Sequence, residues 1–422
     1  MGTESAAVEP VKHQGARGDL VNPRLVITMA IGATLTVGWL VLPVLPTAAA
    51  APISLAPRSV RVTSSMSESR AAHTATALVD GNVLIVGGFS EDEAKLAGAE
   101  LFDQSSERFE RIAQPRMRRQ SHTATRLLDG KVLLVGGLGE RNQYLESAEL
   151  YDPATKSFGS TGRMIVARSN HEAVLLDDGR VLIVGGAGTG WTFLASAEIY
   201  DPRTGTFAEA AHMREPREGH TAVRLSDGRV LVVGGHRGRG SAVVISRTAE
   251  IYNAAADRFM PTGAMATRRH KHDAVILANG NVLVLGGADE RDNEGVYSSV
   301  ELFDPVSGSF RAGSPMAVGR YKHRGTSISL SGGRWLLAGG ASQAEEYDPA
   351  TGSSQLVGGA AQLAGQFSAA TMIPGGRILI TGGYGSGRGP TAHAWIVEPT
   401  ERPLAPSMSD VFDTFDLVET PH

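Results

Sequence analysis

The sequence predicts an all-β chain folded as a seven-bladed β-propeller, each blade a four-stranded antiparallel sheet. Three observations carry this: one phrase recurs at a period near fifty residues, each copy holds a hairpin signal, and each hairpin runs into an apolar strand. The phrase reads HTATALVDGNVLIVGG at 73–88, HTATRLLDGKVLLVGG at 122–137, HEAVLLDDGRVLIVGG at 171–186, HTAVRLSDGRVLVVGG at 220–235 and HDAVILANGNVLVLGG at 272–287. A looser copy, HRGTSISLSGGRWLLAGG, follows at 323–340, and FSAATMIPGGRILITGG at 367–383 keeps the glycines without the histidine. The first glycine of each pair falls at 87, 136, 185, 234, 286, 339 and 382, so the intervals are 49, 49, 49, 52, 53 and 43 residues. A period of this length marks stacked supersecondary units.

The elements of one unit follow in order. Its first strand starts at the histidine. Asp-Gly after it (Asp80-Gly81, Asp129-Gly130, Asp178-Gly179, Asp227-Gly228, with Asn279-Gly280 in the fifth copy) predicts a type I′ turn, since these residues tolerate φ > 0. The second strand, such as VLLV at 132–135, is apolar throughout, as suits a strand covered on both faces. The third reads AELYDP or AEIYDP, and Asp-Pro-x-Thr (152–155, 201–204) turns the chain into a short fourth strand near Phe158 or Phe207. Units that cannot cover both faces alone stack radially on their neighbours.

The glycine pair, the Glu-x-[Tyr/Phe] of the third strand and a Met-x-x-x-Arg leading into the next copy give the chain a family likeness. That last feature stands at Met66 to Arg70, Met164 to Arg168, Met213 to Arg217 and Met316 to Arg320. With these features the chain resembles the Kelch-repeat family over residues 66–399. The resemblance implies a propeller similar to the central one of galactose oxidase. It fixes no activity, because Kelch propellers include both protein-binding modules and enzymes. The oxidase's radical cofactor needs a cysteine cross-linked to tyrosine; this chain has no cysteine, and neither that cofactor nor any other is expected. Kelch-type sialic-acid mutarotases, periplasmic and metal-free, are enzymes compatible with this composition.

Charge and termini bound the function further. A net charge of −4 and a pI near 6.3, without a basic stripe, argue against nucleic acid. Without cysteine there is no disulfide and no thiolate site. Residues 1–24 read as a polar N-terminal region. Residues 25–51 hold 18 uncharged residues (25–42), then Pro43, Pro46 and the alanines 48–51. They read as a secretory signal peptide, with an uncleaved signal anchor attaching the chain to a membrane as the competing reading. Either places the propeller (52–400) outside the cytoplasm: secreted, periplasmic or at the cell surface. The seventh unit takes its outer strand from 403–408 or from the chain's own start at 53–62. Residues 401–422 form an acidic tail.

Six histidines (73, 122, 171, 220, 272, 323), six arginines three residues before them and six glutamates opening the third strands recur in register. A residue present in every blade serves every blade, and equivalent positions lie too far apart around a ring to share one ion. No metal or catalytic site is therefore assigned to them. Binding is expected where the copies differ, in the loops after Gly-Gly. The candidate residues are Phe89, Tyr144, Trp191, Arg237, Arg239, Lys271, Asp289, Arg291, Tyr297, Lys322, Tyr384 and Arg388, read as exposed aromatics and charges. The expected function is a monomeric, non-catalytic module binding a protein or glycan. The alternative is a metal-independent carbohydrate mutarotase or epimerase. A flat aromatic face at the mouth of the channel favours the first, and a charged funnel holding an Arg and a perturbed carboxylate favours the second.

Overall fold

The computed structural model describes residues 58–90, 98–359, 365–385 and 389–399. The signal or anchor segment, the acidic tail and Arg388 lie outside them. Seven four-stranded antiparallel sheets are present, six of them in simple meander order. The third blade is typical: Glu172–Leu175, Val181–Val184, Ala197–Asp201 and Thr206–Ala210. First strands neighbour one another around the axis and line a central channel. Every second strand of blades one to five is buried at all four residues, because sheets pack on both its faces.

The chain's start completes the ring. Val60–Val62 pairs antiparallel with Ala394–Val397 as the outermost strand of the seventh blade, Val60 opposite Val397 and Val62 opposite Trp395. Arg61 of this strand forks onto both carboxylate oxygens of Glu107 in the first blade, each bond 2.6 Å. The first and last described strands are thereby joined within one sheet, which closes the propeller without a covalent bond.

Two local expectations are corrected. The first strands begin one residue after the histidine, at Thr74 or Thr123. The Asp-Gly hairpins are not type I′: the glycines are left-handed (Gly81 φ 87°, Gly130 φ 85°), but the aspartates are not. Gly81 N–H bonds Leu78 C=O and Leu78 N–H bonds Asn82 C=O, a three-residue loop with the glycine as its bulge. The aspartate holds this loop by accepting the amide two residues on, as Asp80 does from Asn82 at 3.0 Å.

The repeated residues hold blades together. Arg168 is fully buried; it donates to Gly185 C=O and Ser196 C=O at 3.0 Å and to Glu198 at 2.9 Å. Glu198 in turn accepts the amides of Ile165 and Val166. The same Arg–Glu pair stands in blades one to six. The glycine pair is needed for close approach. A Cβ on Gly136 would meet Arg168 C=O of the next blade at 2.5 Å, and Gly137 donates to that same carbonyl at 2.9 Å. The histidines tie first strands to each other: Thr74 to His122 (3.1 Å), Thr123 to His171 (2.9 Å) and Thr221 to His272 (2.9 Å). Burial pushes all six imidazoles down, so they are neutral spacers.

Candidate functional site: a funnel at the mouth of the channel

The residue before each of these histidines, or before Ser368 in the seventh blade, is left-handed. The set is Ala72, Ser121, Asn170, Gly219, Lys271, Lys322 and Phe367, with φ between 51° and 64°. Six of these seven adjacent pairs are linked by a backbone hydrogen bond, such as Lys322 N–H to Lys271 C=O at 3.0 Å. The links compensate the cost of a left-handed non-glycine residue. All seven face a cavity of about 680 Å³ that narrows into the channel. Its upper wall is formed by Trp191, Phe193, His236 and Arg239, on two-stranded ribbons that extend blades three and four.

The floor is made where the repeat departs from its own pattern. Copies one, two and four have Thr after the histidine; copies three, five and six have Glu172, Asp273 and Arg324. The sixth copy is also two residues longer, and the extra residues form a turn with left-handed Gly325, closed by Thr326 N–H to His323 C=O at 3.1 Å. The turn sends Arg324 across the channel to blade three. There its Nη1 donates to His171 C=O and to Glu172 Oε1, both at 3.0 Å. Asp273 holds the turn, accepting Gly325 N–H on one oxygen and Ser327 N–H on the other at 3.1 Å. Three sequence departures thus converge on one ion pair that floors the funnel. Burial pushes the Glu172 carboxyl up to about 7, with Arg324 opposing the rise.

Two further cations face the funnel. Lys271 lies 3.9 Å from Asp292 and donates to Tyr321 OH at 3.1 Å. Lys322 donates to Tyr384 OH at 3.2 Å and sits 5.0–5.8 Å from the rings of Tyr321, Phe367 and Tyr384. Lys131, Lys156 and Lys271 each have a carboxylate within 4.0 Å; among the described residues Lys322 has none. Burial lowers the pKa of both funnel lysines. One wall carries a row of four polar side chains. Glu218 accepts from Asn170 (2.7 Å) and meets His236 Nε2 at 3.1 Å; His236 Nδ1 meets His270 Nδ1 at 3.2 Å; His270 Nε2 lies 3.4 Å from Asp292.

A profile of the Kelch motif matches residues 167–214, which frame the third blade. The chain is a seven-bladed β-propeller that carries a Kelch motif. Among solved structures it is similar to a fungal alcohol oxidase of the AA5 family in complex with copper. Identity is 15% and the TM-score 0.66, covering 82% of this chain and 77% of the other. It is also similar to YjhT, at 13% identity and a TM-score of 0.55, covering 70% of this chain and 99% of that one. At such identities the likeness is one of fold. No curated protein matches the sequence significantly.

Within this Kelch propeller the residues singled out from sequence divide into three groups. Trp191, Arg239, Lys271 and Lys322 line the funnel, and Arg239 lies over the Trp191 ring at 4.1 Å. Phe89, Tyr144 and Tyr384 are half-buried rather than exposed, because neighbouring loops pack ring on ring: Phe89 on Tyr384 at 6.2 Å, Tyr144 on Trp191 at 6.3 Å. Arg237, Asp289, Arg291 and Tyr297 stand outside the funnel, and of these only the two arginines are exposed as expected. Asp289 is buried because Arg291 binds it within its own loop, and Tyr297 is half-buried because it packs by Arg269. Glu172, Glu218, His236, His270, Asp273 and Arg324 were not singled out. For Glu172, Asp273 and Arg324 the signal was present: each interrupts Thr in an otherwise repeated phrase.

Proposed function

We propose that the protein binds a small, hydroxyl-rich anion, a carboxylated sugar, in the funnel, rather than a protein partner on a flat face. The observation that carries this is the concentration of Lys271, Lys322 and Arg324 on one cavity, with no carboxylate within 4.0 Å of Lys322 among the described residues. A cavity of about 680 Å³ is the size of a small-ligand site. Trp191 and Phe193 offer apolar ring faces, while Asn170, Glu218 and Ser121 offer polar partners for hydroxyls. A ligand carboxylate reaching Lys322 gains a charge-assisted hydrogen bond in a partly desolvated place. The apolar stretch at 25–42 supports placing this activity outside the cytoplasm, which fractionation of cells expressing the full chain tests directly.

A second reading, catalysis on the same ligand, is favoured by the Glu172–Arg324 pair, where a carboxyl with a pKa near 7 meets a cation at the floor of the cavity. The deciding experiment is calorimetric titration with galacturonate, glucuronate and N-acetylneuraminate against their neutral counterparts. Saturable binding of a carboxylated sugar, weakened by Lys322→Met, is expected. Equal or absent heats for acid and neutral sugars would sink the reading.

A further inference from the structure

We propose that Glu218, His236, His270 and Asp292 form a proton relay from the funnel wall to its solvent-facing rim, serving acid–base opening and closing of the ring of the bound sugar. The proposal rests on the funnel reading for its ligand and on geometry for its mechanism.

The row has three gaps: Glu218 to His236 Nε2 at 3.1 Å, His236 Nδ1 to His270 Nδ1 at 3.2 Å, and His270 Nε2 to Asp292 at 3.4 Å. Each gap needs one proton to be a hydrogen bond. An ionised carboxylate brings none and a neutral imidazole brings one, so two protons serve three gaps. One gap is always vacant, and that vacancy can move. The longest gap is the one at Asp292; among the described residues His270 Nε2 makes no well-formed hydrogen bond, with the Asp289 backbone beside the ring. In this arrangement His236 carries its proton on Nε2 toward Glu218, and His270 carries its proton on Nδ1 toward His236.

Proton transfer then balances. Water at the rim gives a proton to His270 Nε2; His270 passes its Nδ1 proton to His236 Nδ1; His236 passes its Nε2 proton to Glu218 and on to the ligand's ring oxygen. The bond from that oxygen to the anomeric carbon breaks while the anomeric hydroxyl loses its proton to water and becomes a carbonyl, so that the hydroxide left at the rim is neutralised. One proton has entered at Asp292 and one has left at Glu218, and the vacancy now faces the ligand. In that second state the same end accepts a proton, so a single row acts first as acid and then as base. Reset occurs through bulk water.

The surroundings fit the count. Burial, with Lys271 alongside, pushes His270 down to about 3, so it does not take up the third proton near neutrality. Burial alone would raise Glu218 and Asp292. His236, Lys271 and His270 hold Glu218 below its ordinary value, and Tyr321, Lys271, His270 and Lys322 do so for Asp292. His270 is faced by Lys271, His236, Asp292 and the Tyr321 ring; His236 is faced by Glu218 and the Phe193 ring. Glu218 and His236 line the cavity, and Asp292 is 56% exposed at the rim.

Two measurements on the full chain test the relay. Nitrogen-15 NMR of the ligand-free protein near neutral pH reads the tautomers: His236 protonated on Nε2 and His270 on Nδ1, both neutral. An imidazolium at either residue, or no proton between the two Nδ1 atoms, overturns the relay whatever binds. Catalysis is read by NMR as anomer exchange of galacturonate, glucuronate and N-acetylneuraminate. The expected result is acceleration with a solvent deuterium effect, both lost in His270→Phe, with a rate drop on the order of 10²-fold and unchanged affinity. A sugar that binds without accelerated exchange overturns the catalytic role. Failure of all three to bind overturns the carboxylated-sugar reading instead, and the NMR tautomers still decide the row.

Discussion

Arg168 and Arg324 each meet a glutamate at about the same distance, 2.9 Å for Glu198 and 3.0 Å for Glu172, yet the two pairs do opposite work. Arg168–Glu198 is fully enclosed, stays within one blade and recurs in five others. Arg324–Glu172 spans the channel, occurs once, and leaves the arginine side chain 37% exposed to the funnel. Repetition marks what the ring needs to stand, and departure from repetition marks what sets this ring's channel apart from its repeat. Chemistry alone, an arginine on a carboxylate, does not distinguish them; position in the repeat does.

The sharpest way to break this comparison is to remove each carboxylate in turn. Glu198→Ala strands a buried guanidinium, and a loss of about 3–5 kcal/mol is expected in denaturant unfolding. If its cost were no greater than that of Glu172→Gln, the division into wall and site would fall.

Next in size is the ligand effect. Lys322→Met should weaken binding of a carboxylated sugar by about 10- to 100-fold, the value of one hydrogen bond to a charged group. Its thermal midpoint should hold or rise, since a partly desolvated cation with no carboxylate within 4.0 Å among the described residues is replaced by an apolar chain. A fall in stability with affinity unchanged would make Lys322 part of the wall.

The pH dependence gives a smaller signal with a definite sign. Glu172 holds its proton more tightly folded (about 7) than unfolded (4.5). Its contribution therefore favours the folded state at low pH and is lost as pH rises from about 4.5 through about 7. Unfolding midpoints measured across this window should fall for the native chain relative to Glu172→Gln. The same slope in both would place the titration elsewhere. Least of all, Arg237→Ala should change sugar affinity by less than about twofold, since an exposed charge beyond the cavity adds only weak screened attraction. A tenfold loss there would move the site from the funnel to the loop tips.

Much of the fold was legible because repetition averages over local ambiguity. Seven copies of one phrase fix strand order even where one copy, such as FSAATMIPGGRILITGG, has lost its histidine. The turn type was misread because Asp-Gly serves two hairpin loops, and only the φ of the aspartate separates them. For the site, comparing loops found Trp191, Arg239, Lys271 and Lys322 but also drew in Asp289 and Arg291, whose charges are spent on each other. The Glu172–Arg324 pair joins positions 152 residues apart on different sides of a channel. No local pattern announces such a contact. The substitutions that make it were nevertheless visible as Thr to Glu, Asp and Arg at one place in the phrase.

The ring of left-handed residues has a consequence for how such a protein can diversify. Six of the seven blades present one side chain to the funnel, and the fourth presents Gly219, from a backbone whose direction is set by links to its neighbours rather than by the side chain itself. Alanine, serine, asparagine, glycine, two lysines and phenylalanine already share that backbone. The mouth of this propeller is therefore a seven-position dial. A library varying residues 72, 121, 170, 219, 271, 322 and 367 alone would vary the lining of the cavity while leaving the strand register of every blade untouched.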